Sequence, residues 1–308
     1  MKTTDNSVLS DNGTEGRNPR SFEIDRMSPL GVLELINDED AGVAAVVRTA
    51  LPVLSEAVDE AEKRFRRGGN VHYFGAGTSG RFGVLDSAEI PPTFGIPGHR
   101  FTAHLAGGED AMIHAVEAAE DDEQEGQAAA AALGPDDIAI GITASGSTPY
   151  VGAALRTARS SGAMTLLLSS NEDTSFRAFS DFVAVLDTGN EVLSGSTRMK
   201  AATAQKMALT AFSTTLMVRL GRTYSNLMVD VVPFNAKLRR RSLAILRHAA
   251  DLDESTAAEI MKKADGELKL AIVMGIAKTD APTARTALQQ AGGVAYRAIG
   301  SLLTEKSA

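Results

Sequence analysis

Three features of the sequence predict an α/β protein with a parallel sheet flanked by helices. Short apolar runs recur as "VHYFGAGTSG" from 71, "RFTAHLA" from 100, "DIAIGIT" from 137, "AMTLLLSS" from 163 and "DFVAVLD" from 181. Helical stretches intervene at about 79–89, 109–132 and 149–160, and this alternation fits parallel strands, which need crossover connections. Two of the strands run into loops rich in glycine and hydroxyls. After Asp187 the alternation ends and helical periodicity takes over.

Taken in order, residues 1 to about 20 are polar and expected to be flexible. "MSPLGVLELIND" and "DEDAGVAAVVRTALPVLSEAVDEAEKRFRRGG" read as helices. The second is expected to start near Asn37 and Asp38, to bend at Pro52, and to end in basic residues before Gly68 and Gly69. Pro91 and Pro92 should stop the helix that follows the first glycine loop after about three turns. "STRMKAATAQKMALTAFSTTLMVRLG" reads as a long helix opened by Ser196 and Thr197. From about 231, "NAKLRRRSLAILRHAAD", "STAAEIMKKA", "LKLAIVMGIAK" and "APTARTALQQAGG" predict a helical C-terminal region, and no internal repeat is visible. The expected division is residues 1–60 as N-terminus and helices, 61–224 as the α/β domain, and 225–308 as the helical region.

Composition narrows the function classes. Of 308 residues, 44% are hydrophobic and 23% charged, the balance of a globular protein in water. The net charge of -8 argues against a nucleic-acid surface, although a local cluster of donors could still hold a small anion. With no cysteine, the chain has no disulfide, thiolate nucleophile or zinc–thiolate site. No apolar run is read as approaching the roughly 20 residues of a membrane span, and no signal-peptide core opens the chain. The expected address is the cytoplasm.

Gly75, Gly77 and Gly80 form the G-x-G-x-x-G pattern of dinucleotide sites. Such a site needs an acidic residue about 20 positions on to hold a ribose hydroxyl. That region reads "FGIPGHR", with no acid, so no nicotinamide or flavin cofactor is expected. The second loop, "ITASGSTPY", sets Ser145, Gly146, Ser147 and Thr148 before a helix with Pro149 in its first turn. Hydroxyls and free N–H groups at a helix start suit a phosphate. Helix capping by Thr148 would explain one hydroxyl, not three around a glycine. Both loops would meet at the carboxyl edge of one sheet, which favours a phosphorylated small molecule.

The segments "GAGTSGRFGVLDSAEIPPTFG", "AVEAAEDD", "ASGSTPY", "SGSTRMKAATAQK" and "NLMVDV" closely resemble the N-acetylmuramic acid 6-phosphate etherase family of the sugar isomerase (SIS) superfamily. The similarity is collinear from "TEGRNPRSFEIDR" to "AIVMGIAKTDAPTARTALQQAGG" and covers nearly the whole chain. It implies a phosphosugar-binding fold, a homodimer with sites near the subunit interface, and no cofactor. It also implies cleavage of a D-lactyl ether with water in cell-wall sugar recycling. Three positions depart from the family pattern. Ser147 stands where Arg is usual, Ala202 replaces Gly and Ile90 replaces Cys. The first removes a cation from the anion loop and leaves open how the substrate's charge is neutralised.

Ether cleavage by elimination needs an acid and a base, and two carboxyls in different environments can serve. By resemblance Glu89 is the proton donor and Glu120 the second catalytic carboxylate, the base at C2. Glu89 is expected at a helix C-terminus beside Ile90 and Phe94, although the residues alone favour a solvated helix end. Glu120 follows Ile113 and Val116 on an apolar stripe, with Glu117 close enough to repel it. Substrate binding is expected from Gly77, Thr78, Ser79, Ser145, Gly146, Ser147 and Thr148. Arg198 and Lys200, at a helix start where cations oppose the dipole, are further candidates. Two solvated cations would explain the last pair equally well. The histidines at 72, 99, 104, 114 and 248 show no ligand pairing, and no metal is expected. A phosphosugar isomerase and a non-catalytic phosphosugar sensor are the alternatives.

Overall fold

Five parallel strands lie in the order β2-β1-β3-β4-β5 in the computed structural model, which describes residues 13–231 and 236–307. They are β1 Val71–Gly75, β2 Phe101–Leu105, β3 Ile138–Thr143, β4 Met164–Ser169 and β5 Phe182–Val185. Each expected strand is present. Every residue of β3 and β4 is buried, as near-continuous apolar runs in a covered parallel sheet require. Tyr73 stands between Ala103 and Ile140, and Leu167 between Gly141 and Val183. Most of the segment expected to be flexible, and Asn235 at the start of a predicted helix, fall outside the described residues.

The described chain divides into two units, one through Ser87 with His99–Ser213, the other Ala88–Gly98 with the chain from Thr214 onward. The first holds the sheet. Its opening helix, α1 Pro29–Asp40, is capped by Ser28, whose Oγ accepts from the Gly31 N–H. The next, α2 Val43–Arg66, starts after Gly42, so Asn37 and Asp38 lie inside α1 rather than opening α2. Pro52 sits within α2 without ending it. Residues 29–66 contain a window with mean hydropathy 1.5, long and apolar enough by composition to cross a membrane, contrary to the expectation. In the fold, α2 buries Val43, Val47, Ala50, Leu54, Val58 and Phe65 at helical spacing and packs on β4 and β5.

Two helix predictions need correction. The helix after β1, α3 Gly77–Phe94, continues through Pro91 and Pro92 instead of stopping there. Two donors are lost, yet Ile90 and Phe94, one turn apart, are both buried, and the Pro91 carbonyl accepts from the Gly95 N–H. The single helix expected over 109–132 does not form. Instead α4 Asp110–Ile113 is followed by a loop, a 3-10 turn at Ala119–Asp121, and α5 Glu123–Ala130. Ala118 takes a left-handed conformation (φ 60°), and Asp122 caps α5 by accepting from the Glu125 N–H. The apolar stripe is therefore not a buried face, with Ile113 81% and Val116 43% exposed. The helix α6 Pro149–Ser160 has the expected bounds. It lies against α5, where a Cβ on Gly126 would come 2.2 Å from the Tyr150 carbonyl oxygen.

A further helix, α7 Lys200–Arg219, starts later than predicted, and Ser196 and Thr197 do not open it. Both oxygens of the fully buried Glu191 accept from the N–H groups of Lys200 and Ala201. The second unit is helical as predicted: α8 Ala236–Ala250, α9 Glu254–Lys263, α10 Leu268–Ala277, α11 Ala281–Gln290 and α12 Ala295–Ser307. Eight of the ten residues of α10 are buried, which makes it the centre of that core. A small antiparallel pair, β6 Thr223–Tyr224 with β7 Leu227–Met228, precedes these helices.

Candidate active site

The strand order reverses direction between β1 and β3, and ligands of open parallel sheets bind outside the carboxyl ends at such a point. Both predicted loops leave the sheet there. In the first, Gly75 and Gly80 touch backbone to backbone. A Cβ on Gly80 would lie 2.5 Å from the Gly75 oxygen, and Gly77 adopts a φ of 51°. The glycine spacing thus seats the start of α3 against the end of β1. Ser79 Oγ donates to Gln205 Oε1 on α7 at 2.8 Å, and Thr78 is half-buried beside it in the chain.

The second loop is a hydroxyl network. Thr143 and Thr148 share a hydrogen bond of 2.8 Å, Ser147 Oγ donates to Ser145 Oγ at 2.9 Å, and the Gly146 N–H donates to Thr143 Oγ1. Thr148 makes no side-chain cap on α6, so its hydroxyl belongs to the loop. Gly146 (φ 75°) allows a close approach to the segment after β4. A Cβ there would meet Ser169 Oγ at 2.8 Å, and Thr174 Oγ1 donates to the Gly146 carbonyl. Ser169 and Thr174 were not picked out from the sequence, because only the fold brings β4 beside this loop.

A cavity of about 390 Å3 adjoins the glycine loop. Gly77, Arg81, His114, Glu117 and Glu120 are among its lining residues. The structure therefore brings Glu120 to the same cavity as Gly77, through an exposed loop rather than the predicted helix face. Arg81 anchors that loop. Its Nε and Nη2 donate to the carbonyls of Ala111, Met112 and His114 in four contacts of 2.8–3.2 Å. At the other end, Glu125 accepts from the Gly107 N–H. Neither anchor was singled out from the sequence, although Arg81 lies inside the first quoted motif.

Glu89 lies on α3 within the second unit and is exposed. The expected helix-end position is not realised, because α3 runs on to Phe94, and Ile90 and Phe94 do not enclose the carboxyl. Arg198 is exposed in the turn before α7. Lys200 is buried, its Nζ 2.6 Å from Glu39 Oε2, so its charge is already matched by α1. Glu39 also accepts from Asn18 and Arg20. Of the histidines, His72 and His104 share a hydrogen bond across β1 and β2 (Nδ1 to Nε2, 3.1 Å). Burial, and then the neighbouring His72, push His104 down to about 4, and burial lowers His72 against the opposing pull of Asp137.

Comparison with known proteins decides the family. Residues 53–159 match the model of the glucokinase regulatory protein N-terminal SIS domain. An N-acetylmuramic acid 6-phosphate etherase of Thermobifida fusca is 52% identical over 84% of this chain and 86% of its own. The chain belongs to the N-acetylmuramic acid 6-phosphate etherase family. Etherases of Edwardsiella ictaluri and Brucella anthropi are 46% and 43% identical, over 91% and 94% of this chain and 94% of each relative. The match runs through both units.

Proposed function

We propose that the protein cleaves the D-lactyl ether of N-acetylmuramic acid 6-phosphate with water. The products are N-acetylglucosamine 6-phosphate and D-lactate, a carbon–oxygen lyase step in cell-wall amino sugar recycling. The observation that carries this reading is the cavity in which Glu120 and the glycine loop meet, in a chain of etherase family sequence. An alkoxide is a poor leaving group, so the sugar must first open to expose an aldehyde at C1 and acidify the C2 proton. Glu120 then removes that proton while Glu89 protonates the ether oxygen, and lactate leaves C3. Water adds to the unsaturated aldehyde at C3, C2 regains a proton and the ring closes. The hydroxyl network at 143–148 takes the 6-phosphate, at the start of a helix of the kind that binds anions.

A homodimer in the cytoplasm belongs to the same proposal, supported by the family resemblance, and sedimentation of the purified protein tests the dimer. Lactate release from N-acetylmuramic acid 6-phosphate is the first test of the activity. Aldose–ketose interconversion without lactate would point to the isomerase, and binding without turnover to the sensor. In D2O, deuterium should enter C2 of the product. A primary kinetic isotope effect from C2-deuterated substrate covers return of the original proton. Lactate release with neither label nor isotope effect would exclude elimination and the role of Glu120 as base.

A further inference from the structure

Among the described residues, Arg81 is the only permanently charged cation lining the cavity that holds Glu117 and Glu120. We infer that its guanidinium binds the carboxylate of the substrate's lactyl group and so selects for lactyl-bearing sugars. The inference rests on the etherase reading. That substrate carries two anions, a phosphate and a carboxylate. The hydroxyl network suits the phosphate, while the carboxylate must approach a cavity whose own two carboxylates repel it. Something positive must answer it there. Lys200 is committed to Glu39, Arg198 is exposed in the turn before α7, and Ser147 supplies no charge.

The bonds of Arg81 suit it to this task. All four go to neutral backbone carbonyls, and among the described residues no carboxylate pairs with it. It therefore forms no direct ion pair among the described residues, and Nη1 takes no part in these bonds. Arg81 is half-buried and held by these four bonds, so little freedom remains to be lost when a planar anion docks on it. Arg81 also sits about one turn into α3, where a lone cation opposes the helix dipole and an anion relieves the conflict. Because the same side chain anchors residues 111–114, carboxylate capture is coupled to the loop that carries Glu117 and Glu120.

The test compares three ligands on the full-length protein by calorimetry. These are N-acetylmuramic acid 6-phosphate at a pH where turnover is suppressed or on the Glu120→Gln background, its lactamide analogue, and N-acetylglucosamine 6-phosphate. Arg81→Gln should weaken the carboxylate ligand about tenfold or more, as loss of a charged hydrogen-bonding partner implies. It should leave the lactamide and the product within about twofold, too small a change for a lost charged partner. Arg81→Lys, which keeps the charge but not the fork, should retain part of the preference. Equal weakening of all three ligands would make Arg81 a positioning residue only and overturn the proposal, as would no change at all. If Arg81→Gln does not fold, a wild-type protein with no preference for carboxylate over carboxamide overturns it equally. Failure of the wild type to release lactate overturns the etherase reading itself. An active wild type with an indiscriminate Arg81→Gln overturns only this inference.

Discussion

Lys200 and Glu39 form a buried ion pair, Nζ to Oε2 at 2.6 Å, with side chains 7% and 11% exposed. The pair ties α1 to the first residue of α7. Stranding one charge of an isolated buried pair costs about 3–5 kcal/mol, but Glu39 keeps its bonds from Asn18 and Arg20 when Lys200 is lost. Lys200→Met should therefore lower the urea unfolding free energy by less than that amount, and the Glu39→Gln/Lys200→Met double variant should recover part of the loss. Equal losses in the single and double variants would show that the stranded charge is not the cause.

The same carboxylate should shape the acid limit of stability. Burial pushes Glu39 up, but hydrogen bonds and charge from Lys200, with bonds from Asn18 and Arg20, outweigh it and hold the carboxyl below its ordinary value. A depressed folded pKa contributes stability that is complete above the unfolded value of about 4.3 and is lost as pH falls through the folded value. Glu39→Gln should therefore flatten the fall in unfolding free energy below about pH 4.3. An unchanged slope would mean that other carboxylates set the acid limit.

Glu89→Gln and Glu120→Gln should each cut lactate release by about 100-fold or more, the lower end for an acid–base group. Both residues are exposed, so the thermal midpoint should move little. Near-wild-type turnover in Glu120→Gln would remove it from the C2 proton transfer.

Ser145→Ala and Thr148→Ala should weaken binding of a 6-phosphate sugar by about 1.5–3 kcal/mol, the range for hydrogen bonds to a charged group. Their effect on the unphosphorylated sugar should be small. Comparable losses for both sugars would take the loop out of phosphate recognition.

Gly80→Ala should destabilise more than Gly77→Ala. The added Cβ at 80 would lie 2.4 Å from Leu105 Cδ1 and 2.5 Å from the Gly75 oxygen, whereas at 77 it meets open space. Overpacking of this kind costs about 1–3 kcal/mol. At 77 the cost is the left-handed backbone, about 1–2 kcal/mol. Denaturant midpoints for the two variants decide the order.

The five strands, the glycine loop and the hydroxyl-rich loop, and the bounds of α6 could be read from the sequence, because apolar runs, glycines and Pro149 act on the backbone nearest them. Residue type alone also marked the hydroxyls at 145–148 and, through the family resemblance, Glu89 and Glu120. The tertiary structure decided what depends on distant partners. Periodicity suggested one helix over 109–132, but Arg81 on α3 draws the 111–114 carbonyls to itself and Glu125 holds the Gly107 N–H, so the chain breaks between them. Glu191, not the nearby Ser196 or Thr197, caps α7, and Lys200 turns from a candidate anion ligand into the buried partner of Glu39, 161 positions away. Local sequence biases the conformation of neighbouring residues. Which donor meets which acceptor, and which charge is already spent, is settled only when packing brings remote segments within hydrogen-bond reach.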